Sequence, residues 1–212
     1  MTETLVAVIV DIVDSRRLVD RRGSQAALLE AFARVDAQSD PVQPLRATVG
    51  DEFQAVYSSV GAALEATLLA RLALPADLDC RFGLGLGAVH DVGQGEVGVI
   101  QDGSGWWRAR EAIDEAHARE DGRTPTLRSW FRAGDDAAGL EALVNAYLLA
   151  RDHVVGAMNE RARRIAFGTL CGRLQGELAA EEGISQSAVS QALRRSGGAS
   201  LLAATEQLRA TL

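Results

Sequence analysis

The sequence predicts an α+β fold in which a mixed α/β domain is followed by an all-helical domain. Strand-like and helix-like patterns alternate over the first two-thirds of the chain, whereas from Gly139 onward the pattern is helical almost to the end. Gln175–Arg195 has the spacing of two short helices joined by a tight turn. We therefore expect a domain boundary near Asp135, between residues 1–134 and residues 135–212.

The first predicted elements are a buried strand, a helix and a second strand. Leu5–Val10 is an unbroken apolar run rich in Val and Ile, which is typical of a central strand buried on both faces, and Asp11 is expected to end it. Apolar residues at helical spacing predict a helix over Ser24–Val35. The run Leu45–Val49 predicts the second strand.

A hairpin, a second helix and a glycine-rich strand are predicted next. Gly50-Asp51 is the expected turn, and alternating residues over Phe53–Tyr57 predict the returning strand. Val60–Leu72 has the pattern of an amphipathic helix. Cys80–Val89 predicts a strand with glycines at alternate positions, so we expect another part of the molecule to approach its backbone closely.

The remainder of the first region predicts a hairpin, a helix and a loop. Gly93–Gly98 has the composition of a hairpin, Trp107–Ala118 returns to a helical pattern, and the polar segment Arg119–Gly134 is expected to be a loop. The order of elements is strand, helix, two strands, helix, strand, which is the split pattern of ferredoxin-like domains. We therefore predict a ferredoxin-like, palm-type domain over residues 1–134.

Composition excludes several classes of function. The formal net charge of −7 argues against a polyanion-binding surface over the whole molecule, but Glu160–Leu212 carries seven arginines against five acidic residues. All 22 basic residues are Arg, which excludes a Walker-type phosphate loop and a Schiff-base mechanism, because each requires lysine. Cys80 and Cys171 have no metal-ligand spacing, and the N-terminus has neither a basic start nor a membrane-length apolar run. We expect a cytosolic protein with no membrane partner.

Acidic residues stand at the ends of the predicted strands. Asp11 and Asp14 follow the first strand, and Asp51 lies in the predicted hairpin turn. Because neighbouring strands can bring distant carboxylates together, Asp11 and Asp51 are a predicted site for Mg²⁺ or Mn²⁺. Such an ion supports metal-assisted phosphoryl transfer. The alternative is that these residues serve only the turn and the strand end.

Three segments resemble signatures of class III nucleotidyl cyclases and, more distantly, of the diguanylate cyclases named for their GGDEF turn. These segments are Asp11–Ser15, Gly50–Phe53 and Arg81–Gly87. The chain more closely resembles the SatD family of bacterial proteins, in its Asp-Ile-Val-Asp-Ser-Arg start, its Gly-Asp-Glu-Phe-Gln turn and Trp107–Ile113. The cyclase resemblance covers roughly the first two-thirds of the chain.

The cyclase resemblance implies a metal pair, a phosphate clamp and a nucleotide-binding set. Asp11 and Asp51 match the metal-binding carboxylates, and Arg110 matches the arginine that steadies the transferring phosphate in an active enzyme. The loop after the first strand holds triphosphate in palm domains, and its arginines suit phosphate oxygens, although a solvated loop is the alternative. The expected nucleotide-binding residues are Ile12, Asp14, Arg16, Arg17 and Glu52.

Departures from the cyclase pattern favour binding over turnover. The asparagine that precedes the clamp arginine by four residues is replaced by Trp106, and no lysine stands near Arg46 to select a base. Val49 precedes Gly50 where the diguanylate cyclase turn begins with two glycines, so a side chain fills room that guanine or phosphate needs. We therefore predict a nucleotide-binding domain rather than an enzyme.

The segment Gln175–Arg195 resembles a DNA-binding helix-turn-helix. Gly183 is placed for the tight turn, and Ser185 is placed to cap the second helix, which enters the major groove in such motifs. The predicted DNA-contacting residues are Ser185, Gln186, Ser187, Ser190, Gln191 and Arg194. Flanking charge toward the phosphate backbone is expected from Arg161, Arg163, Arg164, Arg173 and Arg195. The alternative is a helical hairpin used only for dimerisation.

These features together predict a cytosolic DNA-binding regulator in which a degenerate cyclase-like domain senses a nucleotide or a metal-nucleotide. One alternative is an active nucleotidyl cyclase or nucleotidyltransferase, with Arg110 as the clamp. Another is a palm domain used only as a dimerisation scaffold, in which Asp11 and Asp51 serve local geometry. Gly139–Met158 is a candidate dimer seam. A homodimer would suit palindromic DNA, although the sequence does not require one.

Overall fold

The protein is a mixed α and β structure, described here from a computed structural model of the chain. The structure describes residues 4–15, 20–48, 52–95, 98–120 and 122–211. The strands are β1 (Thr4–Ile12), β2 (Gln43–Ala47), β3 (Glu52–Tyr57), β4 (Cys80–Ala88), β5 (His90–Gly95), β6 (Gly98–Asp102) and β7 (Ser129–Arg132). The α-helices are α1 (Arg21–Asp36), α2 (Val60–Ala73), α3 (Ser104–Glu120), α4 (Ala138–Gly156), α5 (Glu160–Leu170), α6 (Gln175–Glu182), α7 (Gln186–Arg195) and α8 (Gly198–Thr211).

The main sheet has the strand order β2-β3-β1-β4-β7, with β1 at its centre. β1 runs antiparallel to both β3 and β4, so that Val8 lies opposite Ala55 on one side and Leu84 on the other. β2 and β3 pair in antiparallel orientation, as the predicted hairpin requires, and its predicted turn at Gly50-Asp51 lies outside the described residues. β5 and β6 form a separate two-stranded arm, and β7 joins the main sheet parallel to β4. The sheet is therefore mixed.

Both faces of β1 are buried, as its apolar sequence predicts. Val6, Val8 and Val10 belong to the main hydrophobic core, which α1, α2 and the C-terminal helices complete. The alternate residues Leu5 and Ile9 pack instead against α3 in a second cluster. Because side chains alternate between the faces of a strand, this one segment connects the two cores.

Two sequence-based expectations for the strands are wrong. Asp11 does not end β1, because it stays in the ladder opposite Glu52 of β3 and Arg81 of β4, and the strand continues to Ile12. The predicted loop Arg119–Gly134 contains β7. This strand is too short to show alternation in the sequence, and its position depends on pairing with β4, which is distant along the chain.

The glycines of β4 allow α3 to lie directly on the sheet, which confirms the expected close approach to this strand. A Cβ atom added to Gly85 would lie 2.1 Å from the carbonyl oxygen of Gly105, and one added to Gly83 would lie 2.2 Å from that of Ala109. Both opposing atoms belong to the backbone of α3, so neither can rotate away. Because β4 has no side chains at these glycines, the backbone of α3 lies closer to the sheet than larger residues would allow.

The C-terminal helices pack against the same core as the sheet. One continuous hydrophobic cluster extends from Val6 of β1 to Leu201 of α8. Arg209 of α8 also forms an ion pair with Glu65 of α2. Asp135 opens a short 3-10 turn before α4, and the boundary placed there stays a prediction. Among the described residues, no helix has both the length and the apolar character needed to cross a membrane.

Replacing Gly85 with Ala should separate α3 from the sheet and destabilise the protein by about 3 kcal/mol, the upper range for overpacking in a closely packed core. Urea unfolding followed by circular dichroism measures this loss. Gly139 is the matched control, because it lies on the exposed face of α4 with nothing near its added Cβ atom. Gly139→Ala should change stability by less than about 0.5 kcal/mol. Equal effects of the two substitutions would contradict the proposed contact.

Candidate functional site

Asp11 and Glu52 lie side by side at one end of the main sheet. Their Cα atoms are partners in the β1–β3 ladder, and on its other side Asp11 is paired with Arg81 of β4. Directly paired residues point to the same face of a sheet, which here is the face that α3 covers. The structure therefore brings together two acidic residues that the sequence predicts for metal or nucleotide binding.

Arg110 reaches this same end of the sheet from α3. Its guanidinium donates to the Glu52 carboxylate at 2.5 Å, and its side chain remains about half exposed. The residue expected to clamp a phosphate thus has an acidic partner in this structure. Asp11, Glu52 and Arg110 together form the edge described below as the Asp11 edge.

The other predicted nucleotide-site residues are only partly described. Ile12 is buried as the last residue of β1, and Asp14 follows in an exposed turn with a left-handed φ of 53°. Asp is among the residues that tolerate this conformation. Asp51, Arg16 and Arg17 lie outside the described residues. The proposed metal pair and the arginine loop therefore stay predictions.

No group of three or more His, Cys, Asp or Glu side chains that could hold an ion occurs among the described residues. Asp11 itself has a positive neighbour, because its Oδ2 atom lies 3.3 Å from NH1 of Arg81. A cation bound at Asp11 would therefore compete with this guanidinium, and the second predicted ligand, Asp51, lies outside the described residues.

Trp106 occupies the position where the cyclase pattern has asparagine. Its side chain is 8% exposed and packs with Leu5, Ile9 and Val56 under α3. The indole is thus part of the second core. This packing accounts for the aromatic residue without a role in ligand binding.

An alternating chain of charged side chains extends from the Asp11 edge. Arg81 is bound by Asp11 and, through its Nε atom at 2.5 Å, by Glu120 at the end of α3. Glu120 also pairs with Arg128 at 3.1 Å, and Arg128 pairs with Asp79 at 2.7 Å. Each charge in this series therefore has neighbours of the opposite sign.

The chain of ion pairs continues into the buried core between α2 and α4. Arg71 of α2 lies 3.7 Å from Asp79 and 2.9 Å from Asp152 of α4. Asp152 is also paired with its neighbour Arg151 at 3.0 Å. Arg151 and Asp152 have fully buried side chains, so the series passes from a half-exposed carboxylate to an interior ion pair. We refer to the whole series as the ion-pair chain.

Asp152 is the buried carboxylate of the ion-pair chain, and both Arg71 and Arg151 pair with it. Its carboxylate also accepts the backbone N–H of Arg128 at 2.7 Å. Burial by itself would raise the pKa of Asp152, but the guanidinium groups of Arg151 and Arg71 outweigh burial and lower it. The carboxylate therefore stays ionised inside the protein. No sequence pattern predicts this cluster, because its members are contributed by separate elements.

The segment from α6 to α7 forms two helices joined by a left-handed turn. Gly183 has a φ of 63°, as the predicted tight turn requires. Ser185 caps α7 by accepting a hydrogen bond from the backbone N–H of Ala188 at 3.2 Å, which confirms its predicted capping position. Val189 and Leu193 are buried and attach α7 to the core. The opposite face of α7 is left to solvent.

The residues predicted to contact DNA lie on this outward side of α7. Five of them are exposed and Ser190 is partly buried. The exposed five are Ser185, Gln186, Ser187, Gln191 and Arg194. Arg194 forms no ion pair with any residue in the described part of the chain. Its charge is thus accessible to an external anion.

The flanking arginines differ from the simple sequence expectation. Arg164 binds Glu182 at the end of α6 through two hydrogen bonds of 2.7 and 2.9 Å, and Arg161 also approaches this carboxylate. Arg173 pairs with Glu181 at 2.7 Å. Internal acidic partners therefore reduce the positive charge around α6. In the described part of the chain, Arg163, Arg194 and Arg195 form no side-chain ion pair, and of these Arg194 and Arg195 at the end of α7 are exposed.

Comparison with protein families assigns the chain to one of them. The model of the SatD family matches residues 5–210, which include both the sheet and the C-terminal helices. The chain belongs to the SatD family. In a search of curated proteins, nothing matched this SatD-family chain. The resemblances to cyclases and to helix-turn-helix proteins stay predictions.

Removing the charge of Asp152 should strongly destabilise this SatD-family protein. Asp152→Asn preserves the side-chain shape but leaves Arg151 buried without its anion and Arg71 with only the more distant Asp79, which should cost about 3–5 kcal/mol. Urea unfolding at pH 7 measures this cost. The matched control is Asp114→Asn on the exposed side of α3, for which we expect a change below about 0.5 kcal/mol.

The contribution of Asp152 should also depend on pH in a defined direction. Because its pKa is lower in the folded protein, the ionised carboxylate stabilises the fold fully above the unfolded pKa of about 4. This stabilisation is lost as the pH falls through the folded pKa. The stability difference between wild type and Asp152→Asn should therefore shrink below about pH 4. A difference that grows on acidification would disprove the assigned ion pairs.

Proposed function

We propose that this SatD-family protein is a DNA-binding regulator that senses a nucleotide or a metal-nucleotide. The α6–α7 pair is the DNA-contacting part, and the Asp11 edge is the ligand-sensing part. The observation that carries the proposal is the arrangement of α7, whose apolar side is anchored while its polar side faces outward. Such a helix can enter the major groove without unfolding any of its own core.

The geometry of α7 supports its role as a recognition helix. Gln186 and Gln191 have amide groups that can both donate and accept hydrogen bonds, which suits adenine edges. Arg194 offers a guanidinium for guanine or for phosphate. Because the arginines near α6 are already paired, contact with the phosphate backbone is assigned mainly to the end of α7. We therefore expect electrostatic attraction to the DNA phosphates to contribute only modestly to the affinity for DNA.

The sheet supports a ferredoxin-like palm for the sensing part. In the order β2-β3-β1-β4, β3 separates β1 from β2, and β1 separates β3 from β4, as the split strand-helix-strand pattern requires. This order puts the end of β1 beside the start of β3. Asp51 immediately precedes β3 in the chain, so this register supports its pairing with Asp11 around Mg²⁺ or Mn²⁺.

Ligand sensing follows from the competing charge at Asp11. Arg81 is the counter-ion of Asp11 in the described structure, and it also belongs to the ion-pair chain. A divalent cation taken up by Asp11 and Asp51 would weaken the Asp11–Arg81 attraction and leave Arg81 to Glu120. Nucleotide phosphates would then meet the cation and the arginines of residues 16 and 17. Ligand binding is thereby linked to the series of charges that leads to α4.

Arg110 contacts Glu52 beside Asp11, and this contact favours a second candidate function, an active nucleotidyl cyclase or nucleotidyltransferase. Arg110 would exchange Glu52 for a phosphate oxygen and steady the transferring group. In this case incubation with ATP or GTP and Mn²⁺ would yield a cyclic or transferred product, and Asp51→Ala would abolish it. A ligand-free dimerisation scaffold is the remaining candidate. The exposed Leu143 on α4 supports a homodimer seam for either function.

Nucleotide binding should raise the melting temperature of the protein. A ligand present at about 100 times its dissociation constant stabilises the folded state by about 2.7 kcal/mol, which corresponds to about 5–10 °C for a chain of this size. We expect such a shift with ATP or GTP in the presence of Mg²⁺ or Mn²⁺, measured by differential scanning fluorimetry.

The nucleotide experiment requires variants of the metal pair. Asp11→Asn and Asp51→Asn should each abolish the shift, whereas Asp114→Asn, at an exposed position of α3, should retain it. The absence of a shift with every nucleotide and metal combination would leave only the scaffold. A shift that persists in both metal-pair variants would place the ligand elsewhere.

DNA binding should be detectable by mobility shift with fragments of the source genome. Affinity should fall steeply as salt rises, because phosphate contacts release counter-ions. Arg194→Ala and Gln186→Ala should each weaken binding to the preferred fragment by about tenfold, as expected when one base-reading side chain is lost.

The controls for DNA binding lie outside α7. Arg123→Ala removes an exposed arginine from the segment before β7, and Gln207→Ala removes an exposed glutamine from α8. Both proteins should bind DNA like the wild type. If no genomic fragment is retarded at low salt, the DNA-binding proposal is wrong.

A further inference from the structure

A cleft of about 390 Å³ lies between α1, the segment after α2, and α5. Its apolar lining includes Leu74, Pro75 and the ring of Phe167. Arg34 of α1 and Arg163 of α5 contribute positive charge to the same cleft. This combination of an apolar lining and guanidinium groups is not used by the proposed nucleotide or DNA sites.

Arg163 is the most informative residue of the cleft. Its side chain is partly buried, and its Nε atom is shielded from solvent without a hydrogen-bond partner. Across the described residues, the side chain of Arg163 forms no ion pair, and its Nε atom has no hydrogen-bond acceptor, whereas its backbone N–H donates to the carbonyl oxygen of Asn159 at 3.0 Å. Burial lowers the pKa of its guanidinium. An arginine remains charged at neutral pH, so the guanidinium of Arg163 is a partly desolvated cation. Its Nε–H group has no acceptor within the protein, and an anionic ligand could supply one.

Arg34 of α1 is the second arginine of the cleft, and Phe167 holds its guanidinium in position. Its guanidinium carbon lies 4.4 Å from the centroid of the Phe167 ring, in cation–π contact. A cation–π contact is an attraction between the positive charge and the ring and needs no hydrogen bond. Arg34 can therefore donate hydrogen bonds to an anion while its guanidinium stays near Phe167.

The remaining charges of the cleft limit what it can hold. Arg164 also lines it but is engaged by Glu182 and by Glu160, which lies 3.7 Å away. Asp77 and Glu160 are the acidic lining residues. The lining arginines exceed the lining carboxylates by one, so the balance suits a ligand with one anionic group rather than a polyanion.

We infer that this cleft binds a small organic anion, in which one phosphate or carboxylate group is joined to an apolar or aromatic body. The anionic group is held by Arg163 and Arg34, whose N–H donors match paired oxygen atoms. The body of the ligand lies on the apolar lining formed by Leu74, Pro75 and Phe167. A free inorganic anion makes only the first of these contacts and binds more weakly.

The cleft is distinct from the Asp11 edge. It lies among α1, α2 and α5, which belong to the main core, whereas Asp11 is on the face covered by α3. It is also close to the proposed DNA-contacting part, because Arg164 at its rim holds Glu182 at the end of α6. Binding in the cleft neither requires nor excludes a nucleotide at Asp11.

The test uses the full-length protein and four defined probes at constant ionic strength. Phenyl phosphate and benzoate carry both the anionic group and the aromatic body, inorganic phosphate carries only the anion, and benzyl alcohol carries only the body. Saturation-transfer NMR detects binding of the aromatic probes, and calorimetric titration measures all four affinities. We expect saturable binding of phenyl phosphate or benzoate that is at least about tenfold tighter than that of inorganic phosphate or benzyl alcohol.

Variants decide whether this binding occurs in the cleft. Arg163→Gln and Arg34→Gln should each weaken binding of the preferred probe by about tenfold or more, as expected for the loss of a charge-assisted hydrogen bond. Arg123→Gln, at an exposed position outside the cleft, should bind like the wild type. Circular dichroism confirms that each variant is folded, and the two arginine variants provide independent tests.

Three results would overturn the inference. One is the absence of saturable binding by both aromatic anions. Another is equal binding of benzyl alcohol, which would show that the anionic group is irrelevant. The third is unchanged affinity in the folded Arg163→Gln and Arg34→Gln proteins. Direct binding is measured because phosphate also stabilises folded proteins through general exclusion from their surface.

Discussion

The buried carboxylate of Asp152 is the interaction on which the relative positions of the main elements depend. It binds Arg71 of α2, Arg151 of α4 and the backbone N–H of Arg128 just before β7. A buried charge is tolerated only when its partners are correctly placed, so α2, α4 and β7 cannot shift independently. Arg151 extends this constraint by donating to Ser129 of β7 at 2.5 Å. The sheet and the C-terminal helices therefore share one electrostatic junction as well as one hydrophobic core.

The same series of charges reaches the protein surface at Asp11. The side chain of Asp11 is 37% exposed, whereas that of its partner Arg81 is only 9% exposed. A ligand can therefore reach the carboxylate at this end of the ion-pair chain without opening the core. Close packing of α3 on the glycines of β4 leaves little room over the centre of the sheet, so on this face the accessible side chains lie at the end of the strands, where Asp11 is. Glu52 and Arg110 accordingly form their ion pair at this end of the strands and not over the centre of the sheet.

The arginine cleft and the α6–α7 pair, two of the three proposed binding surfaces, meet at α5. α5 packs beneath the α6–α7 pair, lines the arginine cleft and contributes Arg164 to the ion pair with Glu182. The Asp11 edge lies on the other side of the sheet, under α3. An occupant of the cleft would therefore directly contact the helix that supports the α6–α7 pair, the part proposed to bind DNA. A ligand at Asp11 would act through the ion-pair chain instead.

Local sequence signals determined the elements whose structure depends mainly on neighbouring residues. The apolar run of β1, the alternate glycines of β4, the turn at Gly183 and the cap at Ser185 were all predicted, because periodicity and capping are local properties. Resemblance to known motifs also pointed to Asp11, Glu52 and Arg110, which the fold brings to one edge. Only the tertiary structure decided the presence of β7, the ion-pair chain and the arginine cleft. These features join residues that are distant along the chain. The position of a charged residue in the sequence does not indicate which distant residue will be its partner.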